Sequence, residues 1–416
     1  MAESLIGSEI IKLAADINEK IKNGETVYNF TIGDFNPKLF PIPQELKKFI
    51  IDAYNNDETN YPAANGVAEL RSAVSNLIEK RQGLKYSPDE FLIAGGARPI
   101  IYAIYRTIVE NGDKVLFPVP SWNNNHYTHL CTGDYANQVF VETKPENNFM
   151  PTAEELRPHL SKVSLVAVCS PLNPTGTTFS KKDLSEICDL ILAENARRGP
   201  GEKPLYLLYD QIYWALTYGD TVHYDPVSLR PEMRPYTIFV DGISKSLAAT
   251  GVRVGWAMGP KAIIDRMKSI LSHVGAWAPK AEQVATAKFL SDLSAYDKFL
   301  GEIKQKISTR LTAFHKGFQD LKKKGYAVDS IAPQAAIYLT IRFSLHGKKT
   351  PDGKVLATTK DITGYILNEA KMAVVPFYAF GASPDSSWYR LSVGTCRPED
   401  IEAIMGSLEK ALSKLS

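Results

Sequence analysis

Residues 237–258 read TIFVDGISKSLAATGVRVGWAM. TIFVD is a short run that is apolar on both faces, the pattern of a strand covered by helices on each side. It stops at Gly242-Ile243-Ser244-Lys245-Ser246, and a second apolar run, VGWAM, begins at Val254. Lys245 therefore stands just past a strand end, between two serines. Arg253 follows eight residues later in GVRVG. Ligands of open α/β sheets bind outside the carboxyl ends of the strands, so this lysine and this arginine are placed for chemistry.

Working outward, the same kind of run recurs as FLIA at 91–94, KVLFP at 114–118, SLVAV at 164–168 and LYLLY at 205–209. Helical stretches such as 97–110 and 181–195 lie between them. The alternation predicts an α/β fold with a mostly parallel sheet and helices on both faces. Upstream, a helix is expected near 8–22, with Gly24 ending it. A loop, TIGDFNPKLFPIP, follows at 31–43, and a second helix starts near Pro43. The segment ENARRGPGEKP at 194–204 reads as a surface loop. Downstream the pattern changes. IYLTIRFSL at 337–345 and KVLATT at 354–359 flank GKKTPDG and read as a hairpin, before a helix near 361–371, a strand at 388–393 and a helix at 398–414. That α+β order predicts a smaller domain over 295–416. It leaves a large domain over 46–294 and an arm and loop over 1–45 that pack with the small one.

Composition narrows the function. The chain has 416 residues and a net charge of +2, with 44% hydrophobic and 23% charged residues. Near-neutral charge with this apolar content excludes disorder throughout and argues against a dedicated nucleic-acid binder. No run approaches the roughly 20 apolar residues of a membrane span. Cys131, Cys169, Cys188 and Cys396 form no CxxC pair and read as reduced thiols. The start, MAESLIGSEIIKL, lacks a basic region followed by an apolar one, so no signal peptide is expected and the expected location is the cytoplasm. His126 and His129 stand in HxxH spacing without a third ligand, and no metal site is expected.

Taken one at a time, the strand ends are ambiguous. Gly95-Gly96 before a helix is either a tight turn or an anion cradle. Asp210, after LYLLY, is either a helix cap or the partner of a cation. Ser170-Pro171-Leu172-Asn173-Pro174-Thr175-Gly176 is by itself a proline-rich turn. Neither GxGxxG nor GxxxxGK[ST] is present, so a dinucleotide or P-loop nucleotide is not indicated.

Together the motifs resemble a family. NPTG at 173–176, DxxY at 210–213, SK at 244–245 with GxRxG at 251–255, and YRLSVG at 389–394 resemble, in order and spacing, the fold-type I pyridoxal-phosphate enzymes, class I/II aminotransferases. NYPAANGVAELRSAV at 60–74 and PSWNNNH at 120–126 fit the same family. The resemblance is closest to aspartate and aromatic aminotransferases. It implies pyridoxal 5'-phosphate as cofactor, an amino acid and a 2-oxo acid as substrates, and a ping-pong Schiff-base reaction.

The resemblance also implies roles. Lys245 would bond the cofactor aldehyde and then move the Cα proton. Asp210 would pair with the pyridine nitrogen. Tyr213 and Asn173 would hydrogen-bond the ring's phenolic oxygen, and Trp122 would stack on the ring. Gly95, Gly96 and Ala97 would offer N–H groups to the phosphate, with Arg253 and Ser244 adding contacts. Arg390, with Asn173, would bind the substrate α-carboxylate, and the backbone at Gly33 would close over it. Tyr61 would reach a neighbouring subunit's phosphate, which implies a homodimer with shared sites. One departure stands out. Many relatives carry a hydroxyl residue three before the lysine, and here that position is Gly242, leaving a contact missing or supplied by Ser246. Two other functions use overlapping residues: a β-eliminating lyase on the same fold, and a non-catalytic protein that keeps the fold for binding.

Overall fold

The computed structural model describes residues 17, 19–122 and 124–416. Seven strands form the main sheet: β1 (Phe91–Ala94), β2 (Val115–Val119), β3 (Gln138–Glu142), β4 (Leu165–Cys169), β5 (Tyr206–Asp210), β6 (Thr237–Gly242) and β7 (Gly255–Met258). Their order across the sheet is β1-β7-β6-β5-β4-β2-β3. Only β7 runs antiparallel to its neighbours. The carboxyl ends of the other six therefore meet on one edge of the sheet.

Alternation along the strands explains the layers. Phe91 and Ile93, Val166 and Val168, and Leu207 and Tyr209 face one helical layer, which includes Leu70, Val74, Leu184 and Ile187. Leu92 and Ala94, Leu165 and Ala167, and Ile238 and Val240 face the other, with Ile100, Ile104, Ile264 and Met267. Strands such as β1 (FLIA) and β4 (LVAVC) read as unbroken apolar runs because both faces are covered. Sequence reading missed β3. It is an edge strand with Phe140 58% exposed, and its residues QVFVE lack the two-sided apolar run.

A second sheet holds four strands: β8 (Val328–Ser330), β9 (Tyr338–Phe343), β10 (Val375–Pro376) and β11 (Trp388–Ser392), in the order β10-β11-β9-β8. Its core includes Ile341, Phe343, Leu391 and Val393, and the helices Leu293–Lys323 and Ile401–Ser413 pack on it. The expected hairpin does not form. β9 pairs with β8 and β11, and the pairing within 347–356 is confined to a short closed loop, with a Lys349–Val355 bridge and backbone bonds such as Leu356 N–H to the Lys348 carbonyl. The reason is local. Thr358 and Asp361 make a reciprocal capping box that starts the helix Thr359–Glu369, which claims the end of the expected second strand. The loop expected at 194–204 begins only after Arg197, where the helix Lys181–Arg197 ends. The helix expected near 8–22 lies mostly outside the described residues. Its end at Lys22 precedes Gly24, whose φ of 84° is left-handed.

Candidate active site

The sheet edge carries a cavity of about 640 Å³, within the size range of small-molecule sites. Among its lining residues are Asp210, Tyr213, Ser244, Lys245 and Arg253 from the sheet edge, Ala97, Trp122 and Asn173 from the turns above it, and Arg390 from the second sheet. Most of the expected residues thus converge on one space, although they span nearly 300 positions of the chain.

Lys245 sits at the end of β6, and its Nζ donates to the carbonyl of Gly33 at 2.7 Å. Burial lowers its pKa to about 8. Asp34 opposes the shift, and Arg390, Arg98 and Arg253 add to it. With a pKa near 8, far below that of an ordinary lysine, a useful fraction of the amine is unprotonated near neutrality, as a nucleophile or proton carrier needs. Asp210 ends β5. Burial raises its pKa to about 6, against the pull of the Ile212 N–H, which donates to Oδ1 at 3.0 Å. That is its only side-chain hydrogen bond among the described residues. At pH 7 it is an ionised carboxylate without a cation, facing the cavity.

Tyr213 and Tyr338 share a hydrogen bond of 2.6 Å between their hydroxyls, and burial pushes both pKa values up. Asn173 lies in a turn with cis peptide bonds before Pro171 and Pro174. Its Oδ1 accepts from Arg390 Nη1 at 2.9 Å. Arg390 stands in β11 and is 3% exposed. Its Nη2 donates to the Thr31 carbonyl at 2.6 Å, and Tyr338 and Phe380 cover it at 4.7 and 4.9 Å. Its Nε is buried without a partner. An anion entering the cavity would meet a guanidinium fixed in orientation.

At the other end, Arg253 is held by its own surroundings. It adopts φ 62°, and its guanidinium donates to the carbonyls of Thr250 and Gly95, each at 2.7 Å. Of the three residues expected to offer N–H groups, Ala97 lines the cavity at the start of the helix Ala97–Ile108. Gly95 and Gly96 do not line it. The Gly95 N–H is taken by the Ala276 carbonyl, and the Gly96 N–H lies 2.6 Å from the Ala94 carbonyl. Their contribution is spatial: a Cβ on Gly96 would sit 2.2 Å from the Arg253 guanidinium.

The same packing accounts for Gly242. A Cβ there would lie 2.8 Å from Gly255 Cα and 2.8 Å from the Val254 carbonyl. A Cβ on Gly255 would in turn lie 2.6 Å from the carbonyl carbon of Gly96. Three glycines stack backbone on backbone, so no hydroxyl residue fits at 242. Ser246 does not supply the contact either, because it is buried and does not line the cavity. Tyr61 is also away from the cavity. It is 82% exposed, with its ring against Trp277 at 5.3 Å.

The structure adds residues that sequence reading missed. Tyr338, Asp34, Thr250 and Arg98 line the cavity. Thr250 donates to Asp34 Oδ1 at 2.7 Å, tying the N-terminal loop to the turn after Lys245. Arg98 carries no ion pair among the described residues and lies over the Trp122 ring at 4.8 Å. Its signal was in the sequence, as the first charged residue after the Gly-Gly turn. Tyr338 gave no signal beyond its strand.

The arrangement fits a flat, anionic, ring-shaped ligand. A cation and a helix start stand at one end, an unpaired carboxylate and a low-pKa amine in the middle, and Trp122 and Ile212 among the walls. Comparison with known proteins agrees. The profile of the family described as "Aminotransferase class I and II" matches residues 25–408. The chain is 30% identical over 400 residues to the aspartate aminotransferase of Rhizobium meliloti (strain 1021), covering 95% of this chain and 92% of that protein. It is 28% identical over 383 residues to a probable aspartate/prephenate aminotransferase of Rickettsia felis, covering 91% and 88%. The crystal structure of the aspartate aminotransferase from Rhizobium meliloti superposes with a TM-score of 0.89 at 28% identity, over 100% of this chain and 98% of the other. That of an aromatic aminotransferase from Pyrococcus horikoshii OT3 gives 0.81 at 27% identity, over 95% and 98%.

Proposed function

This chain belongs to the class I and II aminotransferase family and transfers an amino group between an amino acid and a 2-oxo acid, and from that premise we propose that it does so with pyridoxal 5'-phosphate in the cavity at the sheet edge. The observation that carries the reading is the meeting of Lys245, with its lowered pKa, the otherwise unpaired Asp210 and the rigid Arg390 in one space. When bound, the cofactor supplies an aldehyde for the amine and an electron sink for the pair left at Cα.

The chain's own residues do the rest. Lys245 Nζ, once released from the Gly33 carbonyl, would take the Cα proton and deliver it two atoms away, across the nitrogen, to the carbon that had carried the aldehyde. Asp210 holds a protonated ring nitrogen, and the Tyr213 hydroxyl, steadied by Tyr338, donates to the ring's phenolic oxygen alongside Asn173. Arg253, Ser244 and the N–H of Ala97 receive the phosphate, and Trp122 stacks on the ring. Arg390 takes the substrate α-carboxylate in its planar fork. The loop at Gly33 closes over the site and excludes water.

Arg98, without an ion pair, supports a donor with a second carboxylate, aspartate or glutamate. Trp122 and Tyr338 leave an aromatic donor as the second reading. The eliminating lyase is not favoured, because the relatives are named as aminotransferases. The exposed Tyr61, its ring against the half-buried Trp277, supports a homodimer in which Tyr61 reaches the partner's phosphate. We place the arm and loop at 1–45, the large domain at 46–294 and the small domain at 295–416, in a cytoplasmic protein.

Absorbance tests the reading. Protein loaded with pyridoxal 5'-phosphate should show a near-visible band that aspartate bleaches and 2-oxoglutarate restores. Lys245→Ala should lack the bleaching and lose activity by about a thousandfold or more. A band that aspartate leaves intact while an aromatic amino acid bleaches it would exchange the first donor for the second.

A further inference from the structure

One buried acid plays no part in this scheme. Asp241 is the residue before Gly242 in β6 and is 2% exposed. It does not line the cavity. No cation offsets it. Burial raises its pKa, the Gly242 N–H, the Trp214 N–H and the Gln211 side chain oppose that shift, and the titratable groups facing it are Asp210 and Tyr296. A carboxyl group in such a place is costly, so its position has to be repaid by what its oxygens hold.

One oxygen holds a separate segment and the other braces Asp241's own turn. Oδ2 accepts from Trp214 Nε1 at 2.8 Å. Oδ1 accepts from the Gly242 N–H at 2.7 Å. Trp214 follows Tyr213 and stands four residues after Asp210. Gly242 opens the turn that presents Lys245. β5 and β6 run side by side with Asp210 opposite Val240, and the Gln211 N–H extends the ladder by one bond to the Val240 carbonyl at 3.0 Å. Beyond that bond the two strands part. The Asp241–Trp214 contact rejoins them at the level where the chemistry takes place.

We propose that Asp241 is a positioning residue: through Trp214 and the Gly242 N–H it clamps the turn bearing Asp210 and Tyr213 to the turn bearing Lys245. It touches neither substrate nor cofactor. Its effect is to fix the spacing between the carboxylate that holds the ring and the amine that moves the proton, and small misplacements of such groups are expensive in rate. The inference rests on the reading of Asp210, Tyr213 and Lys245 given above.

A double-mutant cycle on the full-length protein tests it. Trp214→Phe removes the indole donor, and Asp241→Asn removes one acceptor. Each should lower kcat by about tenfold, change KM for the donor less than kcat, and move the pH midpoint of the near-visible band, which reports the amine. Each should also weaken binding of pyridoxal 5'-phosphate to cofactor-free protein, followed by quenching of intrinsic fluorescence. The double variant should be no worse than the poorer single one. Independent, multiplying effects would overturn the clamp. So would variants whose only change is a lower melting temperature or a higher KM. If Asp241→Asn does not fold, Trp214→Phe alone decides: an unmoved kcat and band midpoint would overturn the proposal. A wild-type protein that forms no band with the cofactor would overturn the functional reading and the clamp together, whereas failure of the variants alone would overturn only the clamp.

Discussion

The two sides of the cavity are built differently. On the main sheet, Lys245 sits in a turn and makes one hydrogen bond, to a loop carbonyl at 2.7 Å. Across from it, Arg390 stands within a strand, with two hydrogen bonds and an aromatic ring on either side. A group that carries protons between atoms has to swing, and a group that recognises a carboxylate gains from being fixed before the ligand arrives. The contrast assigns chemistry to the sheet edge and recognition to the second sheet.

Each of four substitutions should break or sharpen that contrast. The largest effect is expected on the sheet edge. Asp210→Asn should lower kcat by about a hundredfold or more with a smaller change in KM, measured by steady-state kinetics with aspartate and 2-oxoglutarate. The same variant has a pH signature in the cofactor-free protein. With its pKa raised from 3.8 to about 6, Asp210 binds its proton more tightly in the folded state than in the unfolded one. Its contribution to stability is therefore complete below pH 3.8 and falls away as pH rises to about 6. Asp210→Asn should lack that part of the slope in melting temperature against pH.

On the recognition side, Arg390→Lys should raise KM for the donor by about tenfold and change kcat less, because an ammonium cannot reproduce the two-pronged contact. A kcat loss equal to that of Asp210→Asn would erase the division of labour. Gly242→Ser places a hydroxyl where the family resemblance led to an expectation of one, yet it should destabilise the protein by about 1–3 kcal/mol in denaturant titrations, because its Cβ meets Gly255. The smallest effect is expected at Arg98, which belongs to neither side. Arg98→Gln should raise KM for aspartate several-fold, by about 1 kcal/mol of lost surface-type pairing, and leave KM for phenylalanine unchanged.

The same division marks how far the sequence could be read. Asp210 and Lys245 were legible because each follows an apolar run, and the end of such a run is the edge where ligands bind. Arg390 was legible only through its motif, since nothing about a mid-strand arginine says what it faces. Tyr338 and Asp34 were not legible, because they reach the cavity by the packing of the second sheet and the N-terminal loop, which no local pattern encodes; Thr250, in the turn after Lys245, stands out only by its bond to Asp34. The expected hairpin failed for a related reason: turn residues and apolar runs were present, but the capping of the next helix claimed the same residues. Gly242 looked like a loss and is a packing requirement, visible only once Gly96 and Gly255 are seen against it.

The two groups that contrast most share one restraint. Lys245 is held by the carbonyl of Gly33 and Arg390 by that of Thr31, two residues apart in a single loop. A molecule that takes over the hydrogen bond either cation now gives to this loop loosens the loop's grip on the other. Occupancy at the amine and occupancy at the guanidinium are then thermodynamically coupled, and by reciprocity each favours the other to the same extent. A single stretch of backbone thereby couples filling of the cavity at the amine to filling of it at the guanidinium.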